Sequence, residues 1–132
     1  MNPSQLQISL LPGRYSICRL APGAAAPAPP PEGAFFSITR TADELSIVCA
    51  EAQVPAGARC EPGWRVLRLE GPFAFDQVGV LLAVLAPLAE AGVSIFALST
   101  FDTDFILVKE TALSRVRTAL EGAGHALAAL QE

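Results

Sequence analysis

Between Trp64 and Leu130 the apolar pattern changes period in a fixed order, and that order restricts the fold more than any other feature of the chain. "WRVLRLEG" reads as a strand with apolar residues toward both faces, which suggests a central position and cover on both sides of its sheet. Gly71-Pro72 ends it. Asp76 to Ala91 reads as a helix, with Val78, Leu81, Val84, Leu85 and Leu88 at helical spacing and Gly92 as the stop. Pro87 should kink or shorten that helix. "SIFALS" and "FILVK" are strands. Thr111 is the expected N-cap of a second helix, Ala112 to Gly122, which carries Leu113, Val116 and Leu120 on one face. "HALAAL" is a final short strand. The order β-α-β-β-α-β predicts an α+β fold, an antiparallel sheet with two helices on one face.

The first half lacks any comparable helix. "LQISL" and "RYSICRL" alternate around Leu11-Pro12-Gly13, the pattern of a hairpin. "APGAAAPAPPPEG", residues 21–33, carries Pro22, Pro27, Pro29, Pro30 and Pro31, which cannot donate ladder hydrogen bonds, so it reads as an exposed loop. "AFFSITR" and "ELSIVCA" are strands joined by Thr41-Ala42-Asp43. "EAQVPAGARCEPG", Glu51 to Gly63, is a linker by composition. The division expected is therefore a mostly β N-terminal half, 1–62, and a βαββαβ domain, 63–132. A faint repeat relates the halves: aligning "SITRTADELSIV" with "ALSTFDTDFILV" places Glu44 on Asp104 and Leu45 on Phe105.

Composition removes several functions. With 132 residues, 52% hydrophobic and 17% charged, the chain has ample material for a core. A net charge of -4 with no basic run argues against nucleic acid. No apolar run approaches the roughly 18 residues of a membrane span, and the N-terminus lacks the basic start of a signal peptide, so a cytoplasmic setting without membrane attachment is expected. Cys18, Cys49 and Cys60 match neither a zinc site nor a CxxC pair and read as reduced thiols, with Cys18 and Cys49 in apolar strands. His125 is the one histidine and reads as a surface or core residue. Trp64 reads as core. Arg65 and Arg68, three apart on a strand, face opposite sides and cannot clamp one carboxylate together. Nothing here calls for a cofactor, a metal or a catalytic step.

"SIFALSTFDTDFILV" stands out because Ser99-Thr100-Phe101-Asp102-Thr103-Asp104 is a longer and more polar insert than a tight turn requires. A free amino acid offers an ammonium, for which a placed carboxylate such as Asp104 is a suitable acceptor. It also offers a carboxylate, for which the backbone amides at the start of the Asp76 helix are suitable donors. Thr100 can donate or accept, and Phe101 can cover an apolar part. A purely structural reading stands beside this one: Asp102, Asp104, Ser99 and Thr100 are open to turn capping, favoured for Asp102, and Phe101 to a place in the core.

"GVSIFALSTFDTDFILV" also resembles the ACT domain, a ferredoxin-like βαββαβ regulatory module. Within that family it is similar to the branch found in aspartate-kinase regulatory regions, animal arginine sensors and small bacterial tandem ACT-like proteins. The resemblance is clear from about Trp64 to Gly124 and looser over Leu6 to Glu51. It implies an amino acid ligand contacted by Ser94 and Ile95, by Thr100, Phe101 and Asp104, and by Phe75 in the strand-to-helix loop. It implies a regulatory module acting through a protein partner or through self-association as a homodimer, and no enzyme. Ala74, where the sensors use a glycine, and the shortened first half favour an alternative, a scaffold or interaction protein of the same fold without a ligand.

Overall fold

The computed structural model describes residues 5–30, 33–71 and 79–130. The chain forms two compact units. One is Gly13–Trp64; the other joins Met1–Pro12 to Arg65–Glu132. Leu6–Leu10 therefore belongs with the second half and not with residues 13–62.

In the discontinuous unit, β1 (Gln7–Leu10) lies between β5 (Arg59–Leu69) and β8 (Ala126–Ala129). It runs antiparallel to β5, with Ser9 opposite Arg68, and parallel to β8, with Ile8 opposite Leu127. The expected hairpin between the first two strands does not form. Alternation in "LQISL" assigns Leu6, Ile8 and Leu10 to one face but names no neighbour, and Leu11 N–H continues onto Val66 C=O at 2.9 Å. The β-α-β-β-α-β series is completed by α1 (Val80–Glu90), β6 (Ile95–Ser99), β7 (Asp104–Lys109) and α2 (Leu113–Gly122). β7 pairs with both β5 and β6. This is the ferredoxin-like ACT fold, with β1 set between the first and last strands of the series.

Both helices cover one face of that sheet. Val80, Val84 and Leu88 from α1, and Val116 and Leu120 from α2, pack on Leu6, Ile8, Leu10, Leu67, Leu69, Ile106, Val108 and Leu127. Val66 and Leu107, which alternation turns to the opposite face, are also fully buried, as expected of strands apolar on both sides. The described part of α1 starts at Val80, after Gly79 at φ 83°; Asp76 to Val78 lie outside the described residues. Thr111 is not the cap of α2. It sits in a 3-10 turn, Glu110–Ala112, and Ala112 precedes the helix without a side-chain cap.

Pro87 inside α1 has a local remedy. It carries no N–H for the carbonyl of Ala83 one turn earlier. The buried His125 ring fills that gap: its Nε2 lies 2.9 Å from Ala83 O, while Nδ1 accepts the Leu6 N–H at 3.1 Å. Accepting at Nδ1 fixes the neutral ring with its proton on Nε2. The lone histidine is a core residue with both nitrogens used.

In the unit Gly13–Trp64, β2 (Tyr15–Leu20) pairs antiparallel with β4 (Leu45–Ala50) and with the first part of β5. β3 (Ser37–Arg40) flanks β4. Residues 59–63, expected as linker, are strand. Pro62 cannot donate, but a register shift in the β2–β5 pair and Gly63 at φ 85° accommodate it. The core is Cys18, Leu45, Ile47 and Cys49, with Leu20, Phe36 and Val54 against it. The Pro-rich loop is anchored rather than loose where it is described. Arg40 donates to the carbonyls of Pro22 and, at 2.9 Å, Ala24.

The β3–β4 and β6–β7 hairpins share a turn. Thr41 N–H donates to Glu44 O at 2.9 Å, and Thr100 N–H to Thr103 O at 2.8 Å. Thr41 thus matches Thr100, one residue away from the alignment that put Glu44 on Asp104. The one-residue slip matters because it superposes the inward residues Ile47 and Ile106.

Candidate functional site

The β6–β7 turn and the end of β5 form an open groove of about 260 Å³, lined by Arg68, Leu69, Gly71, Asp102 and Thr103. β5 delivers Arg68 to the face away from the helices, because Leu67 and Leu69 occupy the helix-covered face. Thr103 Oγ1 donates to the carbonyl of Leu69 and ties the turn to the strand end. The Thr100 hydroxyl is used within the turn, against Thr103 O at 3.2 Å and Thr103 N–H at 3.4 Å.

Arg68 is held from behind. Its Nε donates to Glu70 Oε2 at 2.8 Å, and Ser9 Oγ donates to the same oxygen at 2.5 Å. The Ser9 hydroxyl, and after it Arg68, hold the Glu70 carboxyl below the usual glutamate range against an opposing effect of burial. Arg68 and Asp102, residues of opposite charge, both line the groove. Arg65, on the opposite face of β5, donates to Leu11 O at 3.2 Å and pairs with Glu110 at 3.5 Å.

The residues expected to touch a ligand fall into separate places. Thr100, Phe101 and Asp104 sit at the turn end of the hairpin. Asp104 accepts from Ser99 Oγ at 2.5 Å, the residue directly opposite it in the ladder. Phe101 is 77% exposed at the tip, so it is not a core residue. Ser94 and Ile95 sit at the other end, where Ile95 faces Val108. Four strand steps separate Ile95 from Ser99, about 13 Å. Phe75, with Ala74 and Asp76, lies outside the described residues. Arg68, Gly71 and Thr103 were missed as lining residues, and Asp102 was assigned to turn capping. The strand break at Gly71-Pro72, next to an acidic turn, was the available signal. Among the described residues no three His, Cys, Asp or Glu side chains could hold a metal ion together, and no helix is long and apolar enough to cross a membrane.

The discontinuous unit presents five strands with two helices behind them and a small groove at a strand end. Comparison with known proteins makes this specific. The ACT domain family model matches residues 59–122, and a second model, for an N-terminal domain, matches residues 13–57. The chain belongs to the ACT domain family. It is similar to the cytosolic arginine sensor for mTORC1, subunit 1, of Bos taurus, 39% identical over 93 residues, covering 62% of this chain and 28% of the relative. The chain thus spans under a third of the length of that curated relative. A crystal structure of a protein from Agobacterium tumefaciens matches with a TM-score of 0.88 and 43% identity, over 97% of this chain and 96% of that one. Aspartate kinase from Clostridium acetobutylicum shares the fold, with a TM-score of 0.62 and 10% identity over 90% of this chain and 34% of the kinase.

Proposed function

We propose that the chain is a regulatory module that binds a free α-amino acid in the groove at the end of β5, with no chemical step. The observation carrying this reading is the pairing of Arg68 and Asp102 on one groove. A zwitterion needs a cation for its carboxylate and an acceptor for its ammonium, and a guanidinium suits the first role through paired N–H donors. The volume lies just below the roughly 300–1,000 Å³ of pockets for larger ligands, which suits a small one. Phe101, exposed beside Asp102, serves as a cover for the ligand's side chain. Asp104 and Thr100 keep the turn in shape. The similarity to a cytosolic arginine sensor supports an amino acid as the ligand class.

Ser94 and Ile95 enter this reading through a second copy. β6 has β7 as its partner and presents its other edge unpaired among the described residues. Antiparallel pairing of two β6 strands about Ala97 brings Ile95 of one copy opposite Ser99 of the other, closing the 13 Å gap. The homodimer is then the device by which binding is reported.

The test is a thermal-shift series with the twenty amino acids on the full chain, with Asp102→Asn and Arg68→Gln beside it. A ligand at 100 times its Kd stabilises by about 2.7 kcal/mol. A shift with one or two amino acids, lost in both variants, supports the reading. Absence of any shift in a folded protein overturns it and favours the scaffold. Sedimentation velocity with and without the ligand tests the dimer.

A further inference from the structure

The three thiols, scattered in sequence at positions 18, 49 and 60, come together in the unit Gly13–Trp64. Cys18 on β2 and Cys60 on β5 are directly opposite in the antiparallel register. Their sulfurs are 2.9 Å apart, the Cys60 thiol donating to Cys18. Cys49, on β4, packs with Cys18 in the same buried core. The register explains this row: Ile47 is opposite Cys18, so Cys49 lies two residues further on the same face. Cys60 is exposed, whereas Cys18 and Cys49 are buried. The row therefore has one end in solvent and one in the core.

We propose that Cys18 and Cys60 form a reversible intramolecular disulfide when the protein meets a hydroperoxide. The backbone is already placed for it. Opposed residues on antiparallel strands have Cα atoms about 4.5 or 5.5 Å apart, and both values lie within the 4.4–6.8 Å that a disulfide spans. Moving from 2.9 Å to the bonded distance of about 2.05 Å asks for a sulfur displacement of under about 1 Å, which side-chain rotation supplies.

The exposed Cys60 reacts first. Its thiolate attacks the peroxide oxygen, the O–O bond breaks, and an alcohol or water leaves with the sulfenic acid formed. Cys18 then attacks the Cys60 sulfur, the S–O bond breaks, and water leaves with the Cys18 proton. Two thiols lose two electrons and two protons; the hydroperoxide gains them as an alcohol and water. Desolvation of the sulfur, and then the Cys18 thiol, hold the Cys60 thiol above its usual range, so the reaction accelerates as pH rises. The bond closes a loop of residues 42 apart, most of this unit, and removes freedom from its unfolded state.

The test treats the reduced full chain with hydrogen peroxide, alkylates remaining thiols, and maps the peptides by mass. The expected result is one alkylated thiol per chain, Cys49, a Cys18–Cys60 linked peptide, full reversal by dithiothreitol, and a melting temperature several degrees higher when oxidised. Cys60→Ser, at an exposed position, should leave both remaining thiols alkylatable after the same treatment. A Cys60 sulfinic acid with Cys18 still free, a Cys60–Cys60 bond between chains, or a Cys18–Cys49 bond would each overturn the proposal.

Discussion

Replacing His125 with Leu removes two hydrogen bonds from a site that is 4% exposed. Leu6 N–H loses its acceptor and Ala83 C=O its donor. A buried polar group left unsatisfied costs about 1–3 kcal/mol, so the two together should destabilise by about 2–6 kcal/mol. The Pro87 account makes a sharper claim. Pro87→Ala restores an N–H in α1 that can reach Ala83 C=O, and it removes a residue that costs about 3 kcal/mol in a helix interior. Pro87→Ala should therefore stabilise the protein. In that background His125→Leu orphans only Leu6 N–H, and its cost should fall by about 1–3 kcal/mol. Urea unfolding of the four proteins, with equal m-values as the check on two-state behaviour, gives the coupling directly. Additivity within about 0.5 kcal/mol would refute the idea that the histidine stands in for the missing helical donor.

Two further outcomes follow from the same reasoning. The lowered Glu70 carboxyl contributes stability above the ordinary glutamate pKa of about 4.3, and that contribution is lost as pH falls through the lower folded value. The gap in urea midpoint between the parent and Ser9→Ala should thus be largest above pH about 5 and close under acid; a gap independent of pH would sink the assignment. Gly63→Ala has room, since its Cβ would meet only Arg14 at 3.7 Å, yet φ is +85°. Backbone strain alone should cost about 1–2 kcal/mol in thermal or urea unfolding. A neutral result would show that the bulge in β5 relaxes freely.

The elements were legible where one residue pattern had one structural meaning. Val84 and Leu88, or Val116 and Leu120, repeat with a helical period and bury as that period requires. The β6–β7 hairpin was legible because two apolar runs flank one polar insert. Partners were harder to read. Leu6, Ile8 and Leu10 state which face is apolar, and that face suits a hairpin with β2 as well as the slot beside β5. Pro62 and Gly63 read as breakers because their ordinary effect is to end strands; here a bulge absorbs them. At the groove, Asp102 and Asp104 are two apart and equivalent as letters. The Ser99 hydroxyl opposite Asp104 separates them, and that opposition exists only once the ladder has formed. Arg68 was read as facing away from Arg65; it pairs with Glu70, and it also lines the groove beside Thr103, which reaches Leu69.

The slot occupied by β1 has a consequence for synthesis. Every strand of Gly13–Trp64 finds its neighbours by the time residue 64 has been made, so that unit can close early. β1 leaves the ribosome before that unit but needs Leu67–Leu69 on one edge and Ala126–Ala129 on the other. Leu6 and His125 are 119 positions apart. At about 5–20 residues per second, the apolar residues of β1 wait roughly 6–24 s for that edge. During that interval Leu6, Ile8 and Leu10 form a short greasy strand with no lasting shelter. The strand Leu6–Leu10 is therefore the segment most in need of a chaperone during synthesis, and residues 125–129 are the ones that relieve it.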